Sequence, residues 1–309
     1  MYKVLICDPI SEHAINVLKD RGFVVEYTQS PSPSELAQII DQYDVIIVRS
    51  STKVNREVLK RAKKLKVIAR AGAGLDNIDV NYAEERGILV VNAPEALAVA
   101  VAEHTIALML MLLRKEYEAC KSLKEGRWIK KQLLGEELYG KTLGVIGLGR
   151  IGTEVAKRAL AFGMKVLGYR RTRLREVSEK LKIEPAKSID DVLQRSDIIT
   201  LHVPLTPQTY HMISEREFSL MKQGVYIVNT SRGAVIDGRS LLKALNEGRV
   251  AGAALDVFEH EPPKEPWEWE LIQHPKVIAT PHIGSMAREA QERAGLIVVK
   301  KIVEALESL

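Results

Sequence analysis

Gly147-Leu148-Gly149-Arg150-Ile151-Gly152 follows the apolar run 142–146 and opens the helical pattern 153–160. This is G-x-G-x-x-G between a strand and a helix. The first glycine permits a tight turn, the second lets backbone approach a pyrophosphate, and the third lets helix and strand pack closely. The helix N-terminus then favours the negative charge. Gly163 stops the helix, and 165–169 reads as the next strand. The result is a βαβ unit of about 30 residues, the context that makes the loop a dinucleotide signal.

A chain of 309 residues is long for one core, and its length predicts about two domains. Fully apolar runs at 4–6, 23–25, 45–48, 67–69 and 88–91 alternate with helical patterns at 14–19, 35–40 (capped by Ser34) and 56–62. Such alternation predicts a parallel sheet covered on both faces. A second series has strands at 143–146, 165–169, 198–201, 225–228, 251–255 and 277–278. The fold class expected is therefore α/β, with two Rossmann-like doubly wound parallel-sheet domains. One long helix over 97–125 is expected to connect them. A final helix over 285–307 carries Leu296, Val299, Ile302 and Val303 on one face.

The bulk properties narrow the function. Charged residues make up 28% and apolar residues 46% of the chain, which is a globular balance. Cys7 and Cys120 cannot build a disulfide framework. The first apolar run is interrupted by Asp8 and Glu12, and the apolar helix over 96–113 contains Glu103 and His104. These features predict a soluble cytoplasmic protein without a signal peptide or membrane span. The net charge is +5, but the basic residues are dispersed among acids. The expected partner is a small anionic substrate rather than nucleic acid. No metal site is expected.

Three polar residues stand just past apolar strands of the second series: Arg232 in 228–233, Glu261 in 255–263 and His282 in 278–284. Ligands of doubly wound sheets bind outside such strand ends. A hydroxy acid needs its carboxylate held, its hydroxyl proton removed and its C2 hydride aimed at an acceptor. Arginine offers a fixed fork for the oxygens. Histidine can take the proton near neutral pH, and an adjacent carboxylate fixes its tautomer. The hydride chemistry would come from a nicotinamide.

Segments 48–54, 70–79, 140–152, 229–233, 252–258 and 280–284, in this order, resemble the D-isomer-specific 2-hydroxyacid dehydrogenase family over essentially the whole chain. The similarity is greatest to its phosphoglycerate dehydrogenase branch without the regulatory domain. The resemblance implies that Arg232 binds substrate and that Glu261 and His282 form the acid/base pair. It implies that Asp256 contacts the nicotinamide amide and that backbone at Ala73 and Gly74 binds the substrate carboxylate. The expected cofactor set is Gly147, Gly149, Arg150, Ile151, Gly152, Arg170, Arg171, Thr209, Thr230, Asp256 and Gly284. The family also implies a discontinuous substrate domain (1–95 and 284–309), a dinucleotide-binding domain (96–283), a hinge, and a homodimer through the latter.

Two departures bear on specificity. NAD enzymes of this architecture carry an acid at the end of the second strand, where it accepts from the ribose hydroxyls. Here Tyr169 is followed by Arg170 and Arg171, which suit a 2′-phosphate, so NADP is expected over NAD. On the substrate side, Arg49 and the 127–131 stretch with Lys131 resemble the phosphate-binding groups of the phosphoglycerate branch. That points to 3-phosphoglycerate and 3-phosphohydroxypyruvate. Glu95 and the arginines after Tyr169 lean instead toward NADPH-dependent glyoxylate or hydroxypyruvate reductases. Nucleotide-sensing corepressors of the family form an alternative of another class.

Overall fold

The computed structural model describes residues 1–309, which divide into two compact units, Met1–Ala98 with Ser285–Leu309 and Val99–Gly284. The first unit is built on five parallel strands: β1 (Lys3–Ile6), β2 (Val24–Tyr27), β3 (Val45–Val48), β4 (Val67–Arg70) and β5 (Leu89–Asn92). Their order is β2-β1-β3-β4-β5. Ile46, Ile47, Ile68 and Leu5 are fully buried between layers, as unbroken apolar strands of a two-sided sheet must be. The C-terminal helix Arg288–Glu307 belongs to this unit and buries Ala294, Val298, Val299 and Ile302. Lys301 Nζ donates to the Asn92 carbonyl and Arg293 to the Ala96 carbonyl. Both bonds tie that helix to the end of β5 and to the first turn of the helix Pro94–Leu113 that follows it.

The second unit has seven parallel strands: β6 (Thr142–Ile146), β7 (Lys165–Tyr169), β8 (Glu184–Pro185), β9 (Ile198–Leu201), β10 (Val225–Asn229), β11 (Val250–Leu255) and β12 (Val277–Ala279). The order is β12-β11-β10-β9-β6-β7-β8. The chain leaves β6 in one direction through β7 and β8, then returns to β9 on its other side and proceeds outward. β6 is therefore at the switch point, with Ile146 paired to Tyr169 on one flank and Leu201 on the other. A crevice forms there because the connections on the two sides run to opposite faces. Both expected parallel α/β sheets are present.

Three local expectations need correction. The helix after β2 is Pro33–Ile39, and its cap is Ser32 rather than Ser34. Pro33 occupies the first helical position, which its fixed φ suits. Ser32 and Glu35 then form a reciprocal capping box. The long helix over 97–125 is two helices, Pro94–Leu113 and Glu116–Lys124. Lys115 adopts a left-handed φ of 55°, and the Leu113 carbonyl accepts from Glu136 N at 2.9 Å. The last helix begins at Arg288, not 285.

Candidate active site

The glycine loop turns directly out of β6. Gly147 has φ +102°, and a Cβ there would meet the His202 carbonyl at 2.4 Å. Only glycine accepts both conditions. Gly152 lies in the first turn of the helix Arg150–Ala161, where a Cβ would sit 2.0 Å from the Gly147 carbonyl. Gly149 is exposed, with open space above it. Arg150 is exposed and Ile151 half-buried in the same turn. The opening amides of a helix lack intrahelical acceptors. A glycine turn open at Gly149 and set at such a helix end can accept a phosphate anion.

Arg170 stands at the end of β7 and does not run out into solvent. It is half-buried, and its guanidinium donates to the Leu148 carbonyl at 2.9 Å. A cation is thereby fastened to the glycine loop itself. Arg171 beside it is exposed.

Arg232, Glu261 and His282 follow β10, β11 and β12, three adjacent parallel strands whose last residues Asn229, Leu255 and Ala279 pair in turn. Gly233 brings the first two loops into contact, because a Cβ there would meet the Phe258 carbonyl carbon at 1.9 Å. Asn229 shapes the Arg232 turn. Its Oδ1 accepts from Ser231 N and Oγ, and its Nδ2 donates to the Arg232 carbonyl. Arg232 itself is half-buried and donates to the Ser231 carbonyl at 2.7 Å.

Glu261 Oε2 lies 2.6 Å from His282 Nδ1. Its other oxygen accepts from Phe258 N at 3.2 Å, and the Glu261–Pro262 peptide is cis. His282 has a left-handed φ of 52°, uncommon for a residue with a Cβ. Two bonds hold it there, from His282 N to the carbonyls of Asp256 and Thr280. Strained backbone that its surroundings hold in place is characteristic of functional loops.

Asp256 ties the His282 turn from below. It is buried, and its carboxylate accepts from Thr280 Oγ1 (2.6 Å), Ile283 N (2.9 Å) and Gly284 N (2.8 Å). His104 Nε2, from the helix Pro94–Leu113, lies 3.3 Å away. Burial pushes this carboxyl up, but the hydrogen bonds outweigh it and hold it below the usual range. Gly284 meets the same carboxylate closely, at 2.9 Å from a would-be Cβ.

The remaining predicted residues are dispersed. Thr209 is buried and its hydroxyl is engaged in its own turn, donating to the Pro204 carbonyl at 2.6 Å and accepting from Thr206 N. Thr230 is buried, 2.9 Å from Thr105 Oγ1. Lys131 is exposed on the short turn Lys130–Gln132 of the second unit. Arg49, Ala73 and Gly74 belong to the first unit, past β3 and β4. There Asp8 accepts from the Arg49 and Thr52 amides, and Asn77 Nδ2 donates to the Arg49 and Thr52 carbonyls. Asn92 Nδ2 likewise donates to the Ala73 carbonyl at 2.6 Å.

Sequence reasoning missed His202, which follows β9 at the switch point. Its Nε2 lies 2.9 Å from Thr200 Oγ1 and its Nδ1 is buried without a partner. Burial pushes its imidazole down to about 3. No spacing or periodicity marks such a residue; its environment is made by strand packing.

Residues 106–284 match the family described as D-isomer specific 2-hydroxyacid dehydrogenase, NAD binding domain. The chain is 50% identical over 306 residues to a D-3-phosphoglycerate dehydrogenase of Methanocaldococcus jannaschii, covering 99% of this chain and 58% of that one. It thus spans little more than half the length of that relative. It is 46% identical over 305 residues to a hydroxypyruvate reductase of Thermotoga maritima, covering 99% and 98%. A D-lactate dehydrogenase of Aquifex aeolicus, solved with NAD and lactic acid, superposes with a TM-score of 0.86 at 34% identity, covering 99% and 96%. With the glycine loop and the strand-end trio in place, the chain belongs to the D-isomer specific 2-hydroxyacid dehydrogenase family.

Proposed function

We propose that this protein interconverts a small D-2-hydroxy acid and its 2-keto acid with a nicotinamide cofactor. The observation that carries the reading is the 2.6 Å pair of Glu261 and His282 at neighbouring strand ends, with Arg232 on the next. A bound nicotinamide supplies the hydride acceptor or donor. Arg232 engages the carboxylate and C2 oxygen of the substrate. His282 removes the hydroxyl proton in oxidation and returns it to the carbonyl oxygen in reduction. Glu261 keeps Nδ1 turned toward itself, so that Nε2 faces the substrate and the developing imidazolium is stabilised. Glycines 147, 149 and 152 with the first turn of the helix cradle the pyrophosphate.

The substrate we favour is 3-phosphoglycerate and its keto product, with Arg49 and Lys131 as phosphate groups and the backbone of Ala73 and Gly74 on the carboxylate. The M. jannaschii relative supports this. NADP is favoured over NAD, because Arg170 is fastened to the glycine loop where an acid would otherwise meet the ribose. A second reading, reduction of hydroxypyruvate or glyoxylate with NADPH, draws on the same arginine and on the T. maritima relative of matching length. We further propose a cytoplasmic homodimer joined through the second unit.

One matrix of kcat/KM separates these readings: 3-phosphoglycerate, phosphohydroxypyruvate, hydroxypyruvate and glyoxylate, each with NAD(H) and NADP(H). Preference for the phosphorylated pair supports the first. Preference for hydroxypyruvate or glyoxylate by tenfold or more selects the second. No turnover in any cell would sink both.

A further inference from the structure

The loop that carries Glu261 is anchored by a second, buried glutamate. Glu268 lies on the helix Pro266–Gln273 and is only 2% exposed. Its Oε1 accepts from His260 N at 3.0 Å. Its Oε2 accepts from Lys264 N at 2.9 Å and Glu265 N at 3.0 Å, and lies 3.1 Å from His260 Nδ1. A capping glutamate at this helical position needs to reach only the cap amide, here Glu265 N. The other three partners lie outside that role, and they bracket Glu261-Pro262-Pro263 on both sides.

Burying a carboxylate is costly unless it is fully bonded, and an apolar side chain of similar size often serves stability as well. What an apolar residue cannot do is hold three backbone amides and an imidazole in one geometry. Apart from the bonds that Glu261 itself makes to Phe258 N and His282, the other side-chain anchor of the loop is weak. Glu259 lies 3.4 Å from both Tyr210 Oη and His211 Nε2, at the outer limit of hydrogen bonding. Glu268 thus holds the backbone amides on both sides of Glu261. The hydrogen bonds also outweigh burial and hold the Glu268 carboxyl below its usual range.

We propose that Glu268 is the positioning residue for Glu261: its carboxylate fixes residues 260–265 so that Glu261 meets Nδ1 of His282. The inference rests on the dehydrogenase reading for its kinetic consequence, but the geometry it describes does not.

The test uses the full chain with Glu268→Gln, Glu261→Gln and the double variant. Glutamine keeps the size of the side chain but offers one acceptor oxygen in place of two. Glu268→Gln is expected to lower kcat about tenfold or more, with substrate KM and dinucleotide Kd within about twofold of the parent. It should also remove the low-field Nδ1–H proton resonance of His282, identified by its loss in Glu261→Gln. In the Glu261→Gln background the second change should cost less than about twofold, because residues acting as one unit are not additive. Should Glu268→Gln not fold, Glu268→Asp is read in its place; it retains the charge but withdraws it by one methylene. Unchanged kcat with the resonance intact would overturn the proposal, as would full multiplication of the two effects in the double variant. A parent chain without turnover would defeat the dehydrogenase reading alone, and the His282 resonance would still decide the role of Glu268.

Discussion

Glu261 Oε2 and His282 Nδ1 are 2.6 Å apart, although 21 residues separate them in the chain. Changing His282 to Ala removes the only proposed proton carrier, so turnover should fall to background while dinucleotide binding persists. Glu261→Gln keeps the shape but not the charge, and should cost about 10²–10⁴-fold in kcat. Steady-state kinetics with parallel dinucleotide titration checks both. Substantial activity in His282→Ala would remove the histidine from the mechanism.

Arg170 donates to the Leu148 carbonyl at 2.9 Å, so replacing it acts on charge and on the glycine loop together. Arg170→Asp should shift the ratio of kcat/KM for NADP over NAD toward NAD by about 10–100-fold, the worth of one or two charge-assisted hydrogen bonds. An unaltered ratio would place the 2′-phosphate elsewhere.

In the proposed mechanism Arg232 engages the substrate oxygens through its planar fork, which lysine lacks. Arg232→Lys should raise substrate KM and lower kcat/KM by about 10–100-fold, with dinucleotide affinity unaffected. Equal losses in dinucleotide Kd would assign the residue to the cofactor instead.

His202 makes stability depend on pH. Its imidazole is pushed from 6.5 down to about 3 by burial. The unfolded chain therefore binds a proton on falling through pH 6.5 that the folded chain refuses until about pH 3. Stability is full above 6.5 and declines below it, by about 2 kcal/mol at pH 5 for this one group. Thermal melts of the parent and His202→Gln between pH 7 and 5 should converge as pH falls. Parallel curves would show that another group governs acid sensitivity.

Much of this site was legible before any coordinates. The inner strands of the second unit bury both faces, so they show as apolar runs, and a polar residue just past such a run stands out. Arg232, Glu261 and His282 emerge in that way. What escaped were features set by distant partners. The break at Lys115 lies between good helix formers and depends on Glu136 meeting Leu113, so no local pattern announces it. β8 is two exposed residues, Glu184 and Pro185, pairing only with β7. A proline is tolerated at such an edge, where one face of the ladder needs no donor. Glu268 reads as an ordinary acid at a helix start, and its other partners become visible only when the loop is folded over it.

The discontinuity of the first unit sets an order of assembly during synthesis. Residues 99–284 form an uninterrupted stretch, so the second unit can complete its sheet once β12 has emerged. The first unit cannot, because Val298, Val299 and Ile302 of its last helix are fully buried against it. Until residues 288–307 are made, the five-stranded sheet leaves that apolar surface in water, although its strands were translated first. The five-stranded unit is thus sealed after the unit whose strands follow it, and truncations within the helix Arg288–Glu307 should expose nascent protein to aggregation.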